Sequence, residues 1–403
     1  MYDWLQRAAR YRPQGVALEF ADGRSLTYAE LLQAVYARAS FHGRDGDPIY
    51  VEGGDDFAIE LHAALLNGTP AIPLDPRLTG EERALRVVPT ELPYPGVATV
   101  MFTSGTTSAP KPVYLTPGNW EANAVGSALA LGLDQNERWL CVMPLAHVGG
   151  LSILMRSTLY ATTVILHEGF DTEAVLSELM DPARAMTLVS LVPTMLARLL
   201  DAGLERPPTL RWALVGGGPI SRSLLERAEN AGVPVAPTYG MTEGCSQIAT
   251  FGIPLHGVEL RIKGDAEIVV RGPNFAPNTL NREGWLHTGD LGDLDQHGRL
   301  RIIGRIADTI VSGGENIAPA QVEAVLLEHP AVAEAGVCGR PDEEWGERVV
   351  ATVVLRAGQR VSPAELQAFV GDRLAHFKVP KEIGFSDELP RTVSGKLLRR
   401  RLG

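Results

Sequence analysis

The first part of the chain alternates short apolar runs, typical of buried strands, with amphipathic stretches that have a helical period. Residues 16–20 and a short strand after the turn at residues 21–23 predict a β-hairpin. Thr27 precedes the first helical stretch and Glu30 follows three residues later, which predicts a capping box at the helix start. Residues 48–51 predict the next strand.

The same strand–helix order continues along the chain. Asp55 or Asp56 is expected to cap a helix that ends at Asn67. Two further units are predicted, a strand at residues 163–167 with a helix from Thr172, and a strand at residues 213–215 with a helix from Ser221. Repeated units of this kind predict an α/β fold with parallel sheets and helices on the sheet faces.

The last hundred residues have a different order. Residues 321–328 predict a helix, residues 333–339 and 349–355 two strands, and residues 362–374 a second helix. This order predicts a small α+β lobe. We therefore expect a large N-terminal domain at 1–303 and a small C-terminal domain at 304–403, joined within residues 300–308.

Composition narrows the function classes. The chain has 403 residues, 45% of them hydrophobic and 21% charged, which is ordinary for a globular protein. A net charge of −11 disfavours nonspecific nucleic-acid binding. Cys141, Cys245 and Cys338 are too scattered for a zinc or disulfide framework, which favours a reducing, cytoplasmic location. No membrane insertion is expected, because residues 188–200 are too short and contain Pro193 and Arg198.

A hydroxyl-rich loop after a strand is the first chemical signal. The apolar residues 97–102 predict a buried strand, and a polar loop that ends in a lysine follows it. Hydroxyls, backbone N–H groups and one ammonium suit a polyphosphate, although a plain surface loop has the same composition. The loop is not a Walker-type phosphate loop, because the lysine spacing differs. Its candidate phosphate ligands are Thr103, Ser104, Gly105, Thr106, Thr107 and Lys111.

Four later segments change the interpretation of that loop. They are residues 237–243 (PTYGMTE), 284–290 (GWLHTGD), 304–319 with Gly304-Arg305 and SGGENIAP, and 389–396 (LPRTVSGK). Together and in this order, the five segments resemble the adenylate-forming superfamily of acyl- and aryl-CoA synthetases, adenylation domains and luciferases. The resemblance covers nearly the whole chain and implies a large domain of stacked α/β sheets with a small, mobile C-terminal domain.

The resemblance also implies that peripheral elements are missing. Only a short stretch separates residues 75–79 from the hydroxyl-rich loop, and another separates Thr250 from the strand at residues 267–270. Both intervals are too short for the strand–helix units that the superfamily usually has there. We therefore expect a trimmed form of the fold.

The resemblance implies a nucleotide site with ATP and Mg²⁺. Asp290 would accept the ribose hydroxyls, Arg305 would add a ribose or phosphate contact, and Tyr239 would stack on adenine. Thr242 would contact the α-phosphate, and Glu243 would hold Mg²⁺, with Thr106 as a further metal ligand. Backbone at the glycines Gly216, Gly217 and Gly218 would approach the adenine face.

Lys396 is implied as the group that swings in with the small domain and stabilises the transition state of adenylate formation, although a solvated tail lysine is the alternative. CoA would enter along a channel lined by Gly313 and Gly314. Ser108, Pro112 and Ala307 depart from the superfamily pattern, and the first two are expected to stiffen the phosphate loop. None of the three removes a charged group that catalysis would need.

The acid-binding segment is residues 143–152, which has His147 and no acidic residue. Amino-acid adenylation domains carry an aspartate there, so an amino acid is disfavoured, and Gly149 and Gly150 are expected to make room for an acyl or aryl group. Residues 139–157 and 239–248 resemble the 2-succinylbenzoate–CoA ligase subfamily of menaquinone biosynthesis more specifically. The candidate residues for the acid pocket are His147, Gly149, Gly150, Arg156, Thr194 and Gly240.

Several alternatives stay open at this point. His147, Arg156 and Thr194 are candidates to meet a distal carboxylate, whereas a helix-surface position is the alternative for Arg156. Another aryl- or acyl-CoA ligase, or a nucleotide-binding protein that has lost catalysis, also fits the motifs. The expected partners are small molecules, namely a carboxylic acid, ATP and CoA, with a homodimer as a further possibility.

Overall fold

The structure, a computed structural model, describes residues 3–40, 47–103, 110–391 and 397–402. The chain divides into two compact units. The first comprises residues 1–217, 231–260 and 270–286, and the second comprises residues 218–230, 261–269 and 287–403. The expected domain boundary between residues 303 and 304 stays a prediction.

The helices in the described part of the chain are α1 Trp4–Tyr11, α2 Tyr28–Ala39, α3 Phe57–Leu66, α4 Gly80–Ala84, α5 Pro117–Leu131, α6 Val148–Tyr160, α7 Thr172–Met180, α8 Pro193–Asp201, α9 Arg222–Asn230, α10 Pro319–Leu327 and α11 Pro363–Gly371. The strands there are β1 Val16–Phe20, β2 Ser25–Thr27, β3 Ile49–Glu52, β4 Ala71–Leu74, β5 Thr99–Thr103, β6 Lys111–Leu115, β7 Arg138–Cys141, β8 Thr163–Leu166, β9 Leu188–Leu191, β10 Trp212–Val215, β11 Val235–Met241, β12 Ser246–Thr250, β13 Ile253–Pro254, β14 Glu259–Ile262, β15 Glu267–Arg271, β16 Leu286–Leu294, β17 Leu300–Arg305, β18 Ile310–Ser312, β19 Glu315–Ile317, β20 Val332–Asp342, β21 Gly346–Leu355 and β22 Glu382–Phe385.

The predicted helix starts have clear physical causes. Thr27 and Glu30 form the expected capping box at α2, in which the Thr27 side chain accepts from the Glu30 N–H. Ser221 Oγ accepts from the N–H of Leu224 at the start of α9. Asp56 occupies the N-cap position of α3 without a side-chain cap bond, so the position of that cap was predicted correctly but not its hydrogen bond.

The first unit contains a nine-stranded sheet in the order β13-β12-β11-β10-β9-β7-β8-β1-β2. Its central pairs are parallel, as the strand–helix pattern predicts. The strands at both ends are antiparallel, because β1–β2, β11–β12 and β12–β13 are joined by short turns rather than by helices. The unit also contains a four-stranded sheet in the order β3-β4-β5-β6.

Large apolar side chains fill the core of the first unit. Trp4, Tyr28, Leu61, Trp120 and Trp139 are each at most 2% exposed and belong to one cluster. Burying such side chains stabilises each by about 1.5–3 kcal/mol relative to an exposed position. The core therefore holds the sheets and helices of the first unit together.

Within the second unit, residues 304–403 combine α-helices with a mostly antiparallel sheet, the α+β order that was predicted for them. Its C-terminal sheet has the order β19-β18-β21-β20, with β22 parallel to β21. Val322 of α10 and Leu366 of α11 pack with Val337 and Val353 of that sheet in a separate core. A further sheet has the order β14-β15-β16-β17.

The three cysteines lie in the interior of the protein. Cys141, Cys245 and Cys338 are buried and unpaired. Burial raises the pKa of the Cys141 thiol to about 12. Among the helices of the described residues, none is long and apolar enough to cross a bilayer.

Candidate functional site

The two ends of the hydroxyl-rich loop lie side by side. Thr103 ends β5 and Lys111 begins β6, and these residues are opposite each other in the antiparallel register. Thr103 and Lys111, which flank the loop, are therefore neighbours, and Lys111 is exposed. Pro112 fits because β6 is an edge strand. The candidate ligands Ser104, Gly105, Thr106 and Thr107 lie outside the described residues, as does Ser108.

The glycines after β10 lie against the strand that carries Tyr239. A Cβ at Gly216 would meet the Thr238 side chain at 2.7 Å and its carbonyl oxygen at 2.8 Å, so only glycine fits there. Gly217 has a positive φ of 76°. The structure thus brings Gly216 and the segment of Tyr239 together, and Gly218 follows in the chain. Each stays a predicted adenine contact.

Thr242 and Glu243 lie in a tight turn between β11 and β12. The turn is one 3₁₀ segment, Thr242–Gly244, and both side chains are half-buried. Backbone hydrogen bonds fix it, because Thr242 O accepts from Cys245 N over 3.2 Å and Glu243 O accepts from Ala276 N over 2.8 Å. Cys245 and Ser246 have φ values of 56° and 91°, which L side chains rarely adopt. Strained residues of this kind often accompany functional sites.

Arg156 is a buried residue of α6, so the helix-surface alternative is wrong. It is 1% exposed, and its guanidinium donates from Nε and Nη2 to Asn123 Oδ1 over 3.2 and 2.5 Å. Its guanidinium carbon lies 5.8 Å from the centroid of the Trp139 ring. Burial lowers the pKa of Arg156 to about 10, which leaves it charged at neutral pH. In the described residues no carboxylate forms an ion pair with it.

Close packing explains why two of the candidate acid-pocket positions, Gly150 and Gly240, are glycines. A Cβ at Gly150 would meet the Pro144 carbonyl oxygen at 2.5 Å, and one at Gly240 would meet the Ser246 carbonyl oxygen at 1.7 Å. The space that a Gly150 side chain would occupy is therefore filled by the backbone of residues 143–144. The expectation that this space is left for an acyl group is wrong. At Gly149 the nearest atom is Met143 Cε at 3.3 Å, a flexible side-chain end.

His147 lies at the N-cap of α6, beside a carboxylate that the motifs do not include. Its Nε2 is 3.8 Å from Asp75 Oδ2, beyond hydrogen-bond distance. Burial lowers the pKa of His147, while Asp75 opposes that effect, so His147 is neutral at pH 7. Arg77 donates from Nε and Nη2 to Asp75, over 2.8 Å in both bonds. Thr194 is half-buried near the start of α8.

Asp290 and Arg305 are paired in the second unit. Arg305 Nε donates to Asp290 Oδ1 over 2.6 Å. Asp290 is 5% exposed, and its N–H donates to Thr288 Oγ1 over 3.0 Å. Glu267, which sequence reasoning missed, supports this segment, because its Oε1 accepts from Gly289 N over 3.2 Å and its Oε2 is 2.7 Å from His287 Nδ1.

Lys396 lies outside the described residues, but both sides of its segment are anchored. Arg391 and Leu397 form an antiparallel bridge, and Leu398 N donates to Pro390 O over 2.8 Å. Arg399 donates to Glu323 and to Asp308, at 2.8 Å for the shortest bond to each.

Gly313 and Gly314 form the turn between β18 and β19. Their φ values of 60° and 84° suit a two-residue hairpin turn. A Cβ at Gly313 would meet the Trp345 ring at 2.8 Å. The turn and its packing therefore explain these glycines, and their place in a CoA channel stays a prediction.

Comparison with known proteins identifies the family. The AMP-binding enzyme model matches residues 86–278, and the AMP-binding enzyme C-terminal domain model matches residues 321–396. The 2-succinylbenzoate–CoA ligase of Bacillus subtilis (strain 168) is 37% identical and is aligned over 99% of this chain and 97% of its own length. The chain belongs to the AMP-binding enzyme family.

Solved structures of the family extend the likeness to the fold. The o-succinylbenzoate CoA synthetase (MenE) of Bacillus subtilis, in complex with the acyl-adenylate intermediate OSB-AMP, has a TM-score of 0.88 and 36% identity, covering 100% of this chain and 98% of that one. The same enzyme with ATP and a magnesium ion has a TM-score of 0.87 and 36% identity, covering 99% of each chain. These likenesses confirm the predicted adenylate-forming fold.

The alignment also bears on the expected trimming of this AMP-binding enzyme. It runs over 476 positions, more than the 403 residues of this chain. The Bacillus subtilis relative therefore has segments that this chain lacks. The fold is retained without them, as the TM-score of 0.88 shows.

Proposed function

We propose that this protein is an ATP-dependent, AMP-forming 2-succinylbenzoate–CoA ligase that acts in menaquinone biosynthesis. The observation that carries the proposal is the likeness to the Bacillus subtilis ligase over nearly the full length of both chains. The described site residues support it, because the Thr242–Glu243 turn and the Asp290–Arg305 pair are intact. The use of ATP and CoA favours a cytoplasmic enzyme.

The first half-reaction forms the adenylate. A carboxylate oxygen of the acid attacks the α-phosphorus of ATP, the bond from that phosphorus to the bridging oxygen breaks, and pyrophosphate leaves with the electron pair. Both reactants are anions, so catalysis depends on positioning and on positive charge near the phosphates. Lys111 at the start of β6 and Lys396 would supply that charge, and Thr242 would donate to the α-phosphate.

The second half-reaction forms the thioester. The CoA thiol loses its proton and its sulfur attacks the acyl carbon of the adenylate, the mixed-anhydride C–O bond breaks, and AMP leaves. The turn at Gly313 and Gly314 would border the path of the thiol, and the small domain would move between the two steps.

The donor chemistry at Glu243 fits Mg²⁺. A half-buried carboxylate is a hard oxygen ligand, and Mg²⁺ in such sites is held by one or two protein oxygens together with phosphates. When bound, Mg²⁺ neutralises charge on the phosphate oxygens. Glu243 would hold the ion with Thr106, while Asp290 would accept the ribose hydroxyls and Arg305 would fix the Asp290 carboxylate.

Recognition of a dicarboxylate needs a positive group for the distal carboxylate. Arg156 fits this need, because in the described residues no carboxylate forms an ion pair with its buried guanidinium. An uncompensated buried cation is costly, and an anionic substrate would offset that cost. His147 is neutral at pH 7 and would act as a hydrogen-bonding group rather than a cation.

A thioester assay over a panel of acids tests the proposal. We expect 2-succinylbenzoate to have the highest kcat/KM, with benzoate and a medium-chain fatty acid at least about 10²-fold poorer, because donors built for a charged group stay unpaired with those acids. A higher kcat/KM with benzoate or the fatty acid would replace this assignment by a general acyl-CoA ligase. Absence of acid-dependent ATP–pyrophosphate exchange with every acid would point to a protein that has lost catalysis.

A further inference from the structure

Two asparagine side chains converge on one carbonyl next to Glu243. Gly244 O accepts from Asn123 Nδ2 over 3.1 Å and from Asn274 Nδ2 over 3.0 Å. Asn123 belongs to α5, and Asn274 lies in the loop after β15. They are 1% and 2% exposed, so water does not compete for these bonds. Asn123 Nδ2 also donates to Gln247 O over 2.8 Å, which ties β12 to the same side chain.

The turn that these side chains hold has an unfavourable backbone. Cys245 and Ser246 follow Gly244 with positive φ values of 56° and 91°. Each such conformation costs of order 1–3 kcal/mol and persists only when surrounding contacts over-determine it. The hydrogen bonds from Asn123 and Asn274 to Gly244 O are surrounding contacts that hold this backbone. Gly244 directly follows Glu243, the residue expected to hold Mg²⁺.

Arg156 sets the orientation of the Asn123 amide. Its guanidinium is a donor only, so the Asn123 atom that it contacts at 3.2 and 2.5 Å must be the oxygen. The amide nitrogen then faces the carbonyls of Gly244 and Gln247. The buried chain of contacts therefore runs from Arg156 through Asn123 to the backbone of the Glu243 turn.

We propose that Asn123 and Asn274 are positioning residues that clamp the Gly244 carbonyl and thereby fix the Glu243 carboxylate for Mg²⁺·ATP. The inference rests on the proposed function of Glu243 and extends it to side chains that do not touch the nucleotide. A displacement of about 1 Å in a positioned group can cost about 10²-fold in rate. Loss of the Asn274 contact should therefore affect the metal-dependent step more than binding of the acid.

The test uses asparagine-to-aspartate variants, which keep side-chain volume and remove the amide donor. In Asn123→Asp the new carboxylate still accepts from Arg156 but faces the carbonyls of Gly244 and Gln247 without a proton to donate. Asn274→Asp removes the second donor independently. The matched control is Asn67→Asp, which removes the bond from Asn67 Nδ2 to Ala39 O, 2.9 Å long and distant in the chain from the Glu243 turn.

Acid-dependent ATP–pyrophosphate exchange is measured over Mg²⁺ and acid concentrations, together with the melting temperature. For both clamp variants we expect kcat to fall about 10–10²-fold and the half-saturating Mg²⁺ concentration to rise. In Asn274→Asp the KM of the acid should change by less than about twofold. In Asn123→Asp the KM of the acid should rise as well, because the new carboxylate pairs with Arg156. The control should match the wild type. Unchanged Mg²⁺ dependence in either folded clamp variant, or equal changes in the Mg²⁺ and acid parameters of Asn274→Asp, would overturn the inference.

Calorimetric titration of the full-length protein with ATP and Mg²⁺ keeps the inference separate from the proposed function. A wild-type protein that shows no exchange but binds Mg²⁺·ATP would contradict the proposed ligase activity, and the clamp would then be judged by binding. Weaker Mg²⁺-dependent ATP binding in both clamp variants supports the clamp, whereas wild-type binding in either folded variant contradicts it. If Asn123→Asp does not fold, Asn274→Asp alone tests the inference. The amide oxygen of Asn274 in the wild type accepts no hydrogen bond from the described residues, so no accepted bond is at stake there.

Discussion

Arg305 and Asp290 stand opposite each other on antiparallel strands β17 and β16, and Arg305 Nε donates to Asp290 Oδ1 over 2.6 Å. The side chain of Asp290 is 6% exposed, whereas that of Arg305 is 40% exposed. The arginine holds the buried carboxylate of Asp290 in one orientation. Such a pair suits an acceptor for two neighbouring hydroxyl groups.

The first prediction concerns this pair. Asp290→Asn should raise the KM for ATP about tenfold or more, because a charged acceptor contributes about 1.5–3 kcal/mol through its hydrogen bonds. Steady-state kinetics with varied ATP measures the effect. Asp293→Asn is the matched control, since Asp293 pairs with Arg301 on the same two strands but is 44% exposed. Similar kinetics for the two variants would remove Asp290 from the ribose role.

The second prediction concerns the metal ligand. Glu243→Gln should raise the Mg²⁺ concentration needed for half-maximal turnover and lower kcat about 10-fold or more, because an amide oxygen binds Mg²⁺ less well than a carboxylate. The fold should persist, since the turn is held by backbone bonds such as Ala276 N to Glu243 O. Exposed Glu173→Gln is the control. Wild-type Mg²⁺ dependence in the Glu243 variant would exclude the metal role.

The third prediction concerns the tail lysine. Lys396→Ala should lower the rate of adenylate formation by about 10²–10³, the effect of losing one transition-state contact. Thioester formation from preformed acyl-adenylate should stay close to the wild-type rate, because the lysine is expected to move away after the first step. Each half-reaction is assayed separately, with the exposed tail residue in Arg400→Ala as a charge control. Equal loss in both half-reactions would contradict the two-step movement.

The fourth prediction concerns stability and pH. His62 is fully buried, its Nε2 lies 3.2 Å from Thr158 Oγ1, and burial lowers its pKa from 6.5 to about 4. The unfolded state therefore binds the proton more readily, so this group's contribution to stability is complete above pH 6.5 and is lost as the pH falls to about 4. The shift corresponds to about 3 kcal/mol.

Denaturant unfolding between pH 7 and pH 4 checks this expectation. His62→Gln should flatten the dependence of the unfolding free energy on pH, because the variant has no proton to take up at this site. His297→Gln, at an exposed position, should keep the wild-type dependence. A wild-type pH dependence in His62→Gln would mean that other groups cause the acid sensitivity.

The local pattern predicted part of the helices and strands in the described residues. The capping box of Thr27 and Glu30 correctly predicted the start of α2. The helix predicted at residues 362–374 is α11, Pro363–Gly371. These predictions succeed because caps and hydrophobic periods depend on residues within one or two turns of each other. The α/β class and the motif order followed from the same local information.

Contacts between distant segments were decided only by the tertiary structure. The sequence pointed to Asp290, but not to Glu267, whose Oε1 accepts from the N–H of Gly289. Glu267 and Gly289 belong to different strands. It marked Glu243, but not Asn123 and Asn274, which reach Gly244 O from a helix and a loop. No spacing rule links such residues, because their proximity arises from packing.

Gly150 and Arg156 show the same division within one helix. The sequence determined that a glycine and a cation stand in the acid-binding segment, and thereby its chemical character. The packing of residues 143–144 against Gly150, and the burial of Arg156 against Asn123, fixed which space is filled and which charge is hidden from water. Local sequence sets which chemical groups are available. Burial and long-range hydrogen bonds set the protonation, orientation and reach of those groups. Burial and such bonds depend on neighbours that only the folded chain brings together.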